Sequence, residues 1–177
     1  MAFGRPRKTY NEDELYEYAV GALARRMRTV AELKRLLRQR VEKETELGQT
    51  LVELVTRRLK DQGYLNDSQY AAMYSSLRRD NEKFGRMRVI TDLKAKGVHG
   101  EIIDKAVSSV YDEVNEERQA RAYLGRKRLQ RPKNQKEAAR IFRNLARAGF
   151  GTRTILTILK KWDVDEDTLS ALESETP

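Results

Sequence analysis

The stretch FGRMRVITDLKAKGVHGEIIDKAV, Phe84 to Val107, has the outline of a helix, a glycine corner and a second helix. It has a relative downstream. Leu93-Lys-Ala-Lys-Gly97-Val98 is matched by Leu145-Ala-Arg-Ala-Gly149-Phe150, and behind each glycine the apolar positions return in step, Ile103, Ala106 and Val107 against Ile155, Ile158 and Leu159. The two glycines lie 52 residues apart. Upstream, Leu36-Leu-Arg-Gln-Arg40-Val41 is a fainter copy, followed after an acidic insert by Leu51, Val52, Val55 and Leu59. A fixed period near fifty residues makes the corner a structural joint, built once per unit, at which a residue with positive φ ends one helix and turns the chain into the next.

Helical periodicity fills the rest of the chain. Prolines stand only at positions 6, 132 and 177, so none interrupts a helix between Arg7 and Arg131. Leu15, Tyr18, Ala19, Ala22 and Leu23 lay an apolar stripe on one helix face, and Tyr70, Tyr74 and Leu77 form another after Asp67, a residue suited to an N-cap. Thr29 with Glu32 and Thr50 with Glu53 read as capping boxes, and Asn134 with Glu137 as a weaker one. No useful stretch alternates with period two, so the fold class is all-α. The pattern predicts three tandem three-helix repeats in an elongated, curved array. The first repeat, 12–63, has helices over 12–27, 29–43 and 49–62; the second, 64–113, over 67–82, 86–97 and 100–112; the third, 114–162, over 116–130, 134–148 and 151–162. An acidic C-terminal tail, 163–177, follows.

Charge is unevenly distributed. The net charge is +9, yet between Arg118 and Lys161 fourteen Lys or Arg face one acid, Glu137, giving +13 there and −4 in the remainder. Asymmetry of this kind speaks of partners, nucleic acid or an acidic protein surface, rather than of fold. Within the basic third, Lys136, Arg140, Arg143 and Arg147 are spaced by four, three and four. On a helix they share one side, opposite Ile141, Phe142 and Leu145. A charge run is commonly just a solvated face, but here no carboxylates alternate with the cations, and RKRLQRPKNQK lies immediately upstream. The predicted binding surface is therefore Arg126, Lys127, Arg128, Lys136, Arg140, Arg143 and Arg147, with Lys34 and Arg38 of the first repeat in support. The second repeat has Thr91 and Ala95 at aligned positions. The rival is a DNA-reading helix-turn-helix in the third repeat, with Arg153, Thr154, Thr157, Lys160 and Lys161 on its recognition helix.

Other chemistry finds little support. The chain has no cysteine, which removes disulfides, cysteine zinc sites and cysteine nucleophiles. Its one histidine, His99, stands at a predicted helix start, and neither G-x-x-x-x-G-K-[ST] nor G-x-G-x-x-G occurs. Asp163-Val-Asp165-Glu-Asp167 opens like a calcium loop, but Thr168 replaces the sixth-position glycine and Ser174 the twelfth-position glutamate, so the reading is an acidic solvated segment. Tyr64, Tyr70, Tyr74, Tyr111 and Tyr123 read as core or joint residues. No apolar run approaches the length of a bilayer span, and the expectation is a cytoplasmic, monomeric protein without catalytic residues, cofactor or metal.

GYLNDSQYAAMY from Gly63 to Tyr74, FGRMRVITDLKAKGV, and the late RNLARAGFGTRTILTIL together resemble the bacterial RecX recombination regulators. The resemblance extends over Leu15 to Trp162. It implies three tandem three-helix repeats, binding to the RecA recombinase in the groove of its filament on single-stranded DNA, and as a rule inhibition of RecA ATPase and strand exchange. Two departures stand out. Arg40 replaces the joint glycine, with the acidic EKETE insert close behind, and the C-terminal DVDEDTLSALESETP has no counterpart.

Overall fold

The computed structural model describes residues 9–42 and 45–174. Among them are ten α-helices and no strand: α1 Glu12–Arg25, α2 Val30–Leu37, α3 Glu46–Asp61, α4 Asp67–Leu77, α5 Arg86–Ala95, α6 Gly100–Tyr111, α7 Glu116–Arg126, α8 Gln135–Arg147, α9 Thr152–Lys160 and α10 Glu166–Ser174. A π-helical turn, Arg78–Glu82, prolongs α4. Each of the nine predicted helices is present. The all-α fold of tandem three-helix units holds.

At the helix starts some of the expected caps form and others are replaced. Thr29 and Glu32 do form a reciprocal capping box, as do Asn11 and Glu14. Thr50 does not start α3: Thr45 does, accepting from the Gly48 N–H at 3.0 Å, while Glu53, its supposed partner, reaches Lys34. The cap of α4 is Asn66, which accepts from the Gln69 N–H at 2.9 Å. Asp67 instead accepts from the Val30 N–H at 2.9 Å and serves the first turn of α2. Burial raises its carboxyl above the usual range against the pull of that N–H.

The contacts divide the chain into two compact units, one holding the residues up to Tyr70 with Lys94–Ile102, the other Ala71–Leu93 with the residues from Ile103. In the first, α1, α2 and α3 enclose Leu15, Leu33, Leu37, Val55 and Leu59, all fully buried. In the second, α7, α8 and α9 enclose Leu124, Ile141, Leu145, Ile155, Ile158 and Leu159. The predicted glycine joints sit at a recurring contact. Gly97, at φ 76°, packs against Ala31, and the Thr29 hydroxyl donates to the Lys96 carbonyl at 2.7 Å. Gly149, at φ 89°, packs against the Arg88 backbone, and the Gly85 N–H donates to the Ala148 carbonyl at 2.8 Å. In both units a glycine corner thus docks on the start of the preceding repeat's second helix. A Cβ at either glycine would overlap its neighbour, so the residue is demanded both by φ and by space. The first joint, lacking glycine, is made differently: Arg40 lies over the rings of Tyr18 and Tyr10, at 4.8 and 5.8 Å from the centroids.

One expectation is overturned. Most of the segment 163–177, expected as an acidic solvated tail, forms α10, Glu166–Ser174; residues 175–177 lie outside the described residues. Asp165 caps it by accepting from the Thr168 N–H and hydroxyl, both at 2.8 Å, and Thr168, Leu169 and Leu172 are buried in the core of the second unit. Three apolar or half-apolar positions at i, i+1 and i+4 are too short a stripe to stand out among acids, yet they suffice once a core is present to receive them.

Candidate cationic interface on α8

Helix α8 carries the charge row, and its construction begins at its cap. Asn134 accepts from the Glu137 N–H at 2.9 Å, and the Glu137 carboxylate accepts from the Lys133 N–H at 2.8 Å. The single acid of the basic third is thereby engaged with backbone and not with a cation. Ala138, Ile141, Phe142 and Leu145 are buried, at 1, 2, 5 and 0% exposure, and orient the helix. At about 100° per residue the row of Lys136, Arg140, Arg143 and Arg147 then falls on the opposite side, and all four residues are exposed. The eleven residues separating its ends correspond to about 16 Å along the axis.

No carboxylate lies within 4 Å of these four cations among the described residues. Among the described residues the one hydrogen bond from their charged ends runs along the helix, from Arg147 Nε to the Arg143 carbonyl at 3.2 Å. Such a row is a cost to the folded chain. Like charges three and four residues apart oppose the helix by about 0.2–0.5 kcal/mol per pair, and Lys136 in the first turn faces the positive end of the helix dipole.

The other predicted residues divide by partner. Arg126 is paired with Glu82 at 2.9 Å and Lys34 with Glu53 at 2.7 Å. Both lose the free charge expected of them, because these acids lie far off in sequence. Lys127 is exposed and sits 5.9 Å from the Tyr123 ring centroid. Arg128 is exposed at φ 54° in the turn that ends α7. Arg38 is exposed at the end of α2, on a groove of about 610 Å³ shared with Arg35, Gln39, Val41 and Val52. Other cations of the basic third are paired: Arg131 with Asp163 at 2.9 Å, Lys160 with Glu166 at 2.6 Å, and Arg121 and Lys161 with the single charge of Glu117. The Lys161 and Arg121 hydrogen bonds hold the Glu117 carboxyl below its usual range. The predicted binding surface leaves out Lys133, Arg118 and Arg153, which are exposed and have no carboxylate partner among the described residues. Lys133 was visible in RKRLQRPKNQK, and Arg153 was assigned to the rival recognition helix; nothing marked Arg118.

The rival recognition helix is α9, and its polar side chains are occupied. Thr154 donates to Glu116, whose other oxygen accepts from the Gly151 N–H at 2.9 Å and caps the helix from α7. Thr157 bonds the Arg153 carbonyl, and Lys160 and Lys161 are the paired lysines above. Arg153 alone is left to face a base. His99 is exposed ahead of α6, and its carbonyl accepts from Ile102 N–H. Among the described residues no group of His, Asp and Glu is arranged to hold a metal, and no helix is long and apolar enough to cross a membrane.

Residues 66–107 match the family model for the second three-helix domain of RecX. The regulatory protein RecX of Myxococcus xanthus is 34% identical over 161 residues, covering 82% of this chain and 83% of the relative. That of Deinococcus radiodurans is 32% identical, covering 89% of this chain and 74% of the relative. The crystal structure of RecX from Lactobacillus salivarius shares the fold, with a TM-score of 0.65 and 21% identity over 86% of this chain and 96% of that one. With fold and identity in agreement over most of its length, the chain belongs to the RecX family of regulatory proteins.

Proposed function

We propose that this protein is a non-catalytic modulator of a RecA-type recombinase, binding its filament on single-stranded DNA and inhibiting ATP turnover and strand exchange. The observation that carries the reading is the row Lys136, Arg140, Arg143 and Arg147, exposed and without a carboxylate partner, on a helix that would be more stable without it. Lys127, Arg128 and Lys133 continue the free charge on the approach to α8. Polyanionic recombinase surface or DNA backbone is the matching partner. The three repeats, 12–63, 64–113 and 114–162, would each meet a successive part of one extended ligand, and the third would supply the strongest contact. A monomer in the cytoplasm meets that role, and no cofactor enters it.

The test is inhibition of RecA's DNA-dependent ATPase by the R140E/R143E/R147E protein. Helical content by circular dichroism should match the parent, since all three side chains are exposed, and inhibition should be lost. Parental inhibition by a folded variant would remove α8 as the contact surface.

A further inference from the structure

The acidic segment that follows the third repeat is joined to the same unit as the cationic row, and that juxtaposition has a consequence for binding. Between Asp163 and Pro177 the chain has six acids and no base. Helix α10 and its cap hold the five of these acids that fall among the described residues in place through Thr168, Leu169 and Leu172, which are buried against the core that α8 and α9 also line. Two of the acids reach cations of the basic third directly, Asp163 to Arg131 and Glu166 to Lys160. Asp167 and Glu173 are exposed and have no cation within 4 Å among the described residues. A solvated tail would let this charge diffuse away from the row. A docked helix fixes it in the unit that carries the row, with two of its acids on cations of the basic third.

We propose that α10 is an autoinhibitory element: a built-in acidic competitor that lowers the affinity of the α8 row for polyanions. It does so by engaging Arg131 and Lys160 and by placing uncompensated negative charge in the unit that bears the row. The inference rests on the reading of α8 as the binding surface. It separates the buried positions of α10, which dock the helix, from its exposed acids, which act on the ligand.

The experiment neutralises only the second set. In D163N/E166Q/D167N/E173Q, the cap Asp165 and the buried Thr168, Leu169 and Leu172 are kept, so α10 should remain docked, checked by unchanged hydrogen exchange over 166–174. The comparison protein, D61N/E101Q/D104N/E113Q, undergoes the same change in net charge at exposed acids away from α10. Binding of both to a labelled oligo(dT) strand is measured from low to moderate salt. The α10 variant should bind at least threefold tighter than the comparison protein at low salt. Its log K against log salt should be steeper by about 1.4, the value for two freed cations on a single strand. Equal affinity and slope in the two proteins would overturn the proposal, as would weaker binding by the α10 variant. Adding R140E/R143E/R147E to the α10 variant distinguishes the two readings. Binding lost in that combination leaves the α8 row standing whatever α10 does; binding retained means that the row itself was misassigned.

Discussion

Arg128 shows what a single backbone angle can say about a residue. The chain leaves α7 in the left-handed region, at φ 54°, where the Leu129 N–H bonds the Leu124 carbonyl and the Arg128 N–H bonds that of Gly125. This is the geometry that Gly63, Gly97 and Gly149 supply elsewhere in the molecule at φ 78°, 76° and 89°. An L-residue there is strained, and exposed Arg128 gains nothing visible in return. Replacement by glycine should therefore raise stability by about 0.5–1 kcal/mol, read as a higher denaturation midpoint, while slightly weakening polyanion binding. A lower midpoint would mean that the arginine side chain has a structural role. Gly149 is the converse case. The match between KAKGV and ARAGF marked it as a corner, which was legible. That its missing Cβ makes room for the Arg88 backbone was not, because Arg88 lies sixty-one residues earlier.

Elements were legible in proportion to the length of their apolar pattern. Helices α6, α8 and α9 carry long stripes and were placed to within two residues at each end. The start of α3 was misplaced because T-x-x-E occurs at Thr50 as convincingly as the true cap signal at Thr45, and only the packing of Gly48 against the Glu42 carbonyl selects between them. Helix α10 was missed because its signal is two leucines amid acids. Its cap makes a specific prediction. Bonds from the Thr168 N–H and hydroxyl hold the Asp165 carboxyl below its usual range. A carboxylate with a depressed folded pKa contributes stability above its unfolded value, about 3.9, and loses that contribution as pH falls through the folded value. Protection from hydrogen exchange over 168–172, taken relative to the intrinsic rate at each pH, should thus fall first in this acid window, and D165A should show low protection there already at neutral pH. Exchange in D165A identical to the parent would assign the holding of α10 to its leucines alone.

For the whole molecule, the informative quantity is which charges survive folding. Of fourteen cations in the basic third, five pair with Glu82, Glu117, Asp163 and Glu166, and four of the nine left over form the α8 row. If that row meets a nucleic-acid backbone, R140Q/R143Q/R147Q should flatten the salt dependence of single-strand binding by about 2 in log K against log salt, at about 0.7 per phosphate contact. An unchanged slope would place the contact elsewhere. The repeat, the all-α class, the corners and the alignment of Lys136, Arg140, Arg143 and Arg147 follow from the sequence by itself, since each depends on spacing along one helix or on the φ of one residue. The tertiary structure alone decided that Lys34 and Arg126 are neutralised, that Asp67 caps a helix other than its own, and that the acidic end is a docked helix. Those outcomes depend on which distant segments are brought within a few ångströms, and electrostatic pairing and burial are properties of that proximity.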